Sequence, residues 1–112
     1  MRYLFIVLSL FLMLPETVRA QVVINEFSSS TSSDWIELYA FEDTDISGWI
    51  LDDFDTSTNI KEFSSGTSIG PSHTSFLVEN IGVRLNSSGD IITLYNADGV
   101  KIDEIPYGNK GG

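Results

Sequence analysis

Beyond residue 20 the chain alternates apolar and polar residues in short runs, each broken by Ser, Thr, Asn, Asp, Gly or Pro. A period of two is the signature of a strand with one face in a core and the other in water. Val22 to Phe27 is the first such run. Six consecutive Ser or Thr residues, Ser28 to Ser33, then predict a loop. Asp34 to Phe41 alternates cleanly, with Ile36 and Leu38 on one face and Trp35, Glu37 and Tyr39 on the other. Glu42-Asp43-Thr44-Asp45 reads as an acidic turn. Gly48 to Leu51 starts another strand, in which Trp49 and Leu51 share a face. Asp52 to Asn59 reads as a polar loop, Ile60 to Phe63 as a short strand, and Ser64 to Ser72 as irregular chain. Ser75 to Glu79 is a strand with Phe76 and Val78 on one side. Asn86-Ser87-Ser88-Gly89 is a turn. Ile91 to Tyr95 and Val100 to Ile105 are joined by Asn96-Ala97-Asp98-Gly99, the strongest hairpin signal in the chain. No stretch after residue 20 has helical periodicity. Seven strands in about 90 residues predict a single all-β sandwich or small barrel with antiparallel layers.

The first twenty residues follow another pattern. Arg2 precedes the apolar run Tyr3 to Leu14, Pro15 and Glu16 end it, and Val18-Arg19-Ala20 supplies small residues for a signal peptidase. This is the layout of a secretory signal over residues 1–20, with cleavage expected between Ala20 and Gln21. The run has 12 residues, where a bilayer span needs about 20. An uncleaved anchor is the alternative. Either way, residues 21–112 are expected outside the cytoplasm, and no later segment is apolar enough for a second span.

Composition narrows the chemistry. The 112 residues include no cysteine, one histidine, 16 acids and 6 bases, for a net charge of -10. Without cysteine there is no disulfide scaffold, thiol nucleophile or thiolate metal site. The one histidine, His73, lies in a Pro71-Ser72-His73-Thr74 loop, and no Gly-x-Ser-x-Gly elbow accompanies it. The acidic excess argues against a nucleic-acid surface, which must neutralise phosphates.

Three segments in order carry a resemblance: Val23-Ile24-Asn25-Glu26-Phe27, then Asp34-Trp35-Ile36-Glu37-Leu38-Tyr39, then Ile46-Ser47-Gly48-Trp49-Ile50-Leu51-Asp52-Asp53. The later stretches Ser88-Gly89-Asp90-Ile91-Ile92-Thr93-Leu94-Tyr95 and Asp98 to Gly108 fit the same pattern. Together, over residues 22–108, they resemble the lamin tail domain, in its secreted prokaryotic form. Ala40 departs from it, standing where an Asn is common, and Ile60 to Ser72 aligns with no motif. The resemblance implies an immunoglobulin-like antiparallel β-sandwich and, for function, a non-catalytic exported interaction or adhesion module that binds a protein or cell-surface polymer.

Several residues qualify as site candidates. Trp35 and Tyr39 share a face with Glu37 between them, the arrangement of a binding platform; the plainer role for Trp35 is packing or capping an edge, and for Trp49 packing between the sheets. Asn25, Glu26 and Glu37 are expected to satisfy turn backbone rather than act as an acid–base pair. Asp52, Asp53 and Asp55 alternate in the manner of a calcium ligand set. That raises the alternative of a calcium-binding accessory module of an extracellular hydrolase system. The plainer role for these carboxylates is solubility through net charge. Asn86-Ser87-Ser88 matches the glycosylation sequon.

Overall fold

The computed structural model describes residues 21–29, 33–53, 60–82, 85–86 and 88–108. The expected signal segment, 1–20, lies outside the described residues. Among those described, nine strands form and no helix is long and apolar enough to cross a membrane. They are β1 (Val22–Ser28), β2 (Asp34–Ala40), β3 (Thr44–Asp45), β4 (Ile50–Asp52), β5 (Lys61–Glu62), β6 (Ser68–Ile69), β7 (Phe76–Gly82), β8 (Asp90–Tyr95) and β9 (Lys101–Tyr107). All pairings are antiparallel. One sheet has the order β1-β2-β7, a second β5-β4-β8-β9, and β3-β6 forms a small third ladder.

All seven expected strands are present. The short ladder β3-β6 is the addition, and it corrects two readings. Thr44 and Asp45 belong to a strand rather than an acidic turn, and Ser68 and Ile69 to a strand rather than irregular chain. Two residues per strand are too few for alternation to register in a sequence. What holds them is burial: Thr44 and Ile69 face each other with their side chains inside the protein.

Inward-facing residues of both sheets interdigitate to make the core. Ile24, Ile36, Leu38 and Ala40 come from the first sheet, and Leu51, Ile92 and Leu94 from the second. Ile46, Phe63 and Ile69 close one end. Each of the Ile, Leu and Phe side chains contributes roughly 1.5–3 kcal/mol by leaving water. Trp49, just before β4, is partly buried and packs against this core from its margin rather than between the sheets as expected.

Polar ties join the two sheets along their open sides. The Asp103 carboxylate on β9 accepts the Ile24 N–H of β1 at 2.8 Å. On the opposite side Lys61 of β5 reaches Glu79 of β7 at 3.4 Å. Asp34, buried at the start of β2, accepts the Leu85 N–H at 3.0 Å and so anchors the β7–β8 connection.

The hairpin at Asn96 to Gly99 forms where the sequence places it. Gly99 donates to the Asn96 carbonyl at 3.0 Å and adopts φ 78°, so glycine is the natural residue there. Gly70 carries a stricter requirement. It sits at φ 145°, and a β-carbon on it would lie 2.5 Å from the Asp43 α-carbon. Gly70→Ala is therefore expected to cost about 2–4 kcal/mol in urea unfolding, from combined overlap and backbone strain. Gly66→Ala, at φ 85° with nothing within 4 Å, is expected to cost only about 1 kcal/mol.

Tyr107 generates an alkaline prediction. Its hydroxyl donates to the Asn86 carbonyl at 2.8 Å, and its ring lies 4.9 Å from Phe27. Burial, and then the charge of Asp90, push its pKa up to about 12 from 10.0. The folded state holds the proton more tightly than the unfolded chain does. That stabilisation is complete below pH 10 and is lost as pH rises through about 12. Wild type should exceed Tyr107→Phe by about 1 kcal/mol at pH 9. Its advantage should vanish by about pH 12 in urea titrations, because phenylalanine cannot ionise.

Candidate functional site

β2 is the middle strand of the first sheet, and its alternation decides what the protein shows to solvent. Asp34, Ile36, Leu38 and Ala40 point inward and are buried; Trp35, Glu37 and Tyr39 point outward and are half-buried. The expected platform residues thus do share one exposed face. β7 continues it, because Tyr39 is paired with Phe76, Glu37 with Val78 and Trp35 with Asn80.

The Tyr39 ring is the centre of an aromatic cluster. Phe41 meets it edge-on at 4.8 Å between centroids, and Phe76 tilts against it at 4.7 Å. Phe41 is 42% exposed, Phe76 49% and Val78 53%. Phe41, Phe76 and Val78 were not among the expected site residues. The sequence pattern groups Phe76 with Val78 but assigns them no face. The available signal is the alternate row, Leu77 and Ile81, which the core takes.

Polar side chains punctuate this face. Asn25 is the extra residue of a β-bulge, where β1 shifts register against β2 between Ile24 and Glu26. Its amide donates to the Glu37 carboxylate at 2.8 Å. This corrects the expected role of Asn25 and Glu37: they bond one another across strands and do not satisfy a turn. Glu26 is exposed opposite Glu37 in register. Ser33 donates to the Asn80 side chain at 2.8 Å. Beside the bulge, Asn25, Glu26, Phe27, Ser28, Trp35 and Ile105 line an open groove of about 440 Å³. Trp35 forms part of its wall from the middle strand of the sheet, paired on both sides, so it does not cap an edge.

The acidic loops are engaged locally. Asp43 accepts the Ser72 N–H at 2.8 Å, and Asp45 the Ser47 N–H at 2.9 Å. Hydrogen bonds from Ser72 and Ser47 respectively lower the pKa of each carboxyl. Of the expected calcium ligands, Asp52 accepts the Asp53 N–H at 3.0 Å. Both line a shallow depression of about 380 Å³ that also holds Lys101 and Glu104. Asp55 lies outside the described residues. Among the described residues no three His, Cys, Asp or Glu side chains gather to hold a metal ion.

Burial raises the Asp52 pKa above 3.8, outweighing the backbone hydrogen bond that lowers it. Ionisation is therefore less favourable in the fold than in the unfolded chain. Asp52 supports stability below its unfolded pKa and loses that support as pH rises. Asp52→Asn, which keeps an acceptor for Asp53, is expected to raise the urea midpoint at pH 7, with the gain disappearing below about pH 4. A calcium ion held by Asp52 would reverse the order, stabilising wild type over the variant in millimolar calcium relative to chelator.

Comparison with known proteins places the chain. No curated protein matches it. The family model described as Lamin Tail Domain matches residues 15–109. That match begins inside the expected signal segment and otherwise covers the stretch of resemblance, including residues 60–72, where no motif could be aligned. An all-β, immunoglobulin-like sandwich and a match over most of its length agree: the chain belongs to the lamin tail domain family.

Proposed function

We propose that this protein is a non-catalytic interaction module of the exported type, which docks a protein or surface polymer on the outer face of the β1-β2-β7 sheet. The observation that carries this reading is the aromatic cluster in which exposed Phe41 and Phe76 pack on half-buried Tyr39, beside exposed Val78. Large apolar side chains gathered on one exposed face have a cost in water that a partner removes. Tyr and Phe beside the half-buried Trp35 are the residue types that dominate binding energy when a partner covers them. The bond between Asn25 and Glu37 leaves a fixed polar mark in the middle of the face, suited to orienting what binds. Export rests on the pattern of residues 1–20, and the module is its product from Gln21 onward.

The test immobilises the chain and exposes it to envelope polymers and medium of the cell that exports it. Tyr39→Ala with Phe76→Ala is expected to cut the captured amount at least about tenfold, the scale of losing two central aromatic contacts. A charge change at Asp98, exposed in the distant β8–β9 turn, should leave capture intact. Unaltered capture by the aromatic variant would overturn the reading, provided its melt remains cooperative.

A further inference from the structure

We propose that β7 is a pairing edge for a second copy of this chain. Two β7 strands would run antiparallel about a twofold axis at Val78 and join two three-stranded sheets into one.

The argument starts from which backbone groups β7 leaves over. Ala40 donates to the Ser75 carbonyl at 3.0 Å, which identifies Ala40–Ser75 as a bonded pair of the ladder. Bonded pairs recur every second residue in an antiparallel ladder. Leu77 and Glu79 therefore turn their N–H and C=O groups towards Leu38 and Ile36 on β2. Phe76, Val78 and Asn80 turn theirs away. β7 pairs with β2 alone, and among the described residues no backbone bond uses this outer row.

The other edges of the two larger sheets are each blunted. On β1 the outward Ile24 N–H is taken by Asp103 and the strand bulges at Asn25. β9 carries Lys101 and Glu104, an irregular register near Tyr95, and Pro106, which has no N–H to offer. β5 is two residues long. β7 has seven residues, with neither proline nor lysine, and its register is regular from Phe76 to Asn80. Charges, prolines, bulges and shortness are the devices that keep sheet edges from pairing. Three of these edges have them along their length; β7 has only a bulge at Ile81, beyond the regular stretch from Phe76 to Asn80.

Charge selects the occupant. The chain carries a net charge of -10, yet the outward residues of β7 are Phe76, Val78 and Asn80, none of them charged. Its one carboxylate, Glu79, alternates to the inner side and is paired with Lys61 at 3.4 Å. A basic strand would find no carboxylate to meet along this row, and a second copy would meet no like charge. The row is also self-complementary. With Val78 opposite Val78, Phe76 falls opposite Asn80 in both directions, and three opposed pairs would form about six backbone hydrogen bonds. A twofold axis normal to the sheet keeps both aromatic faces on the same side. If the docking reading holds, the dimer presents that face twice, and avidity follows.

The experiment is sedimentation equilibrium on the full chain as its host processes it, from about 1 μM to 1 mM. Wild type should dimerise reversibly. It should do so more tightly at about 0.5 M than at 0.05 M salt, as remote carboxylates are screened. Val78→Lys, which sets two ammonium groups face to face on the axis, should weaken the dimer about tenfold or more. Val100→Lys makes the same charge change at an exposed turn residue and should not weaken it. Amide exchange should slow at Phe76, Val78 and Asn80 on concentration and stay constant at Leu77 and Glu79. A wild type monomeric throughout the range overturns the proposal, as does a dimer that both lysine variants affect equally. A monomer that still loses partner capture through Tyr39 and Phe76 would leave the docking face standing without the dimer. A dimer that captures nothing would do the reverse.

Discussion

The period of two along β2 is the constraint from which the rest of the molecule follows. Ile36, Leu38 and Ala40 are wholly buried, and the residues between them are Trp35, Glu37 and Tyr39. A slip of one residue would put a tryptophan, a carboxylate and a tyrosine into the core and three aliphatics into water. With strands bonded on both sides, β2 cannot be shifted alone. The same alternation that fills the core therefore creates the exposed aromatic face, and core and candidate site are two sides of one strand.

Polar residues do the joining that apolar packing leaves undone. A sandwich of two sheets has open sides, where backbone groups at the strand edges face neither a neighbour nor the core. Asp103 closes one side by accepting the Ile24 N–H, and the Lys61–Glu79 pair spans the other. Asp34 holds the connection after β7 from inside. A buried N–H without an acceptor costs about 1–3 kcal/mol, so Asp103 and Asp34 stabilise by what they prevent. Asp43 and Asp45 accept exposed loop N–H groups, and their lowered pKa values report the hydrogen bonds they receive. Part of the acidic excess is thus structural, beyond its effect on solubility.

The loop that carries His73 illustrates how close packing sets sequence locally. Gly70 accepts the approach of the Asp43 backbone because it has no side chain, and its carbonyl receives the His73 N–H at 2.9 Å. The turn that follows places Ser72 over the Asp43 carboxylate. His73 is an exposed member of this turn.

The sequence by itself determined the all-β class, seven of the strands, the hairpin at Asn96 to Gly99 and the inward and outward rows of β2. Each of these is a local matter of alternation or turn chemistry, visible within ten residues. It also determined the family, through motifs that are local in the same sense. Tertiary structure alone decided which sheet each strand joins, that Thr44–Asp45 pairs with Ser68–Ile69, and that Asn25 meets Glu37. It alone decided that Phe41 and Phe76 gather round Tyr39, which turned two expected aromatics into a face. The physical reason is separation along the chain. Phe76 lies 37 residues beyond Tyr39 and becomes its neighbour only through the register of two strands. No periodicity in either segment records which strand the other will choose.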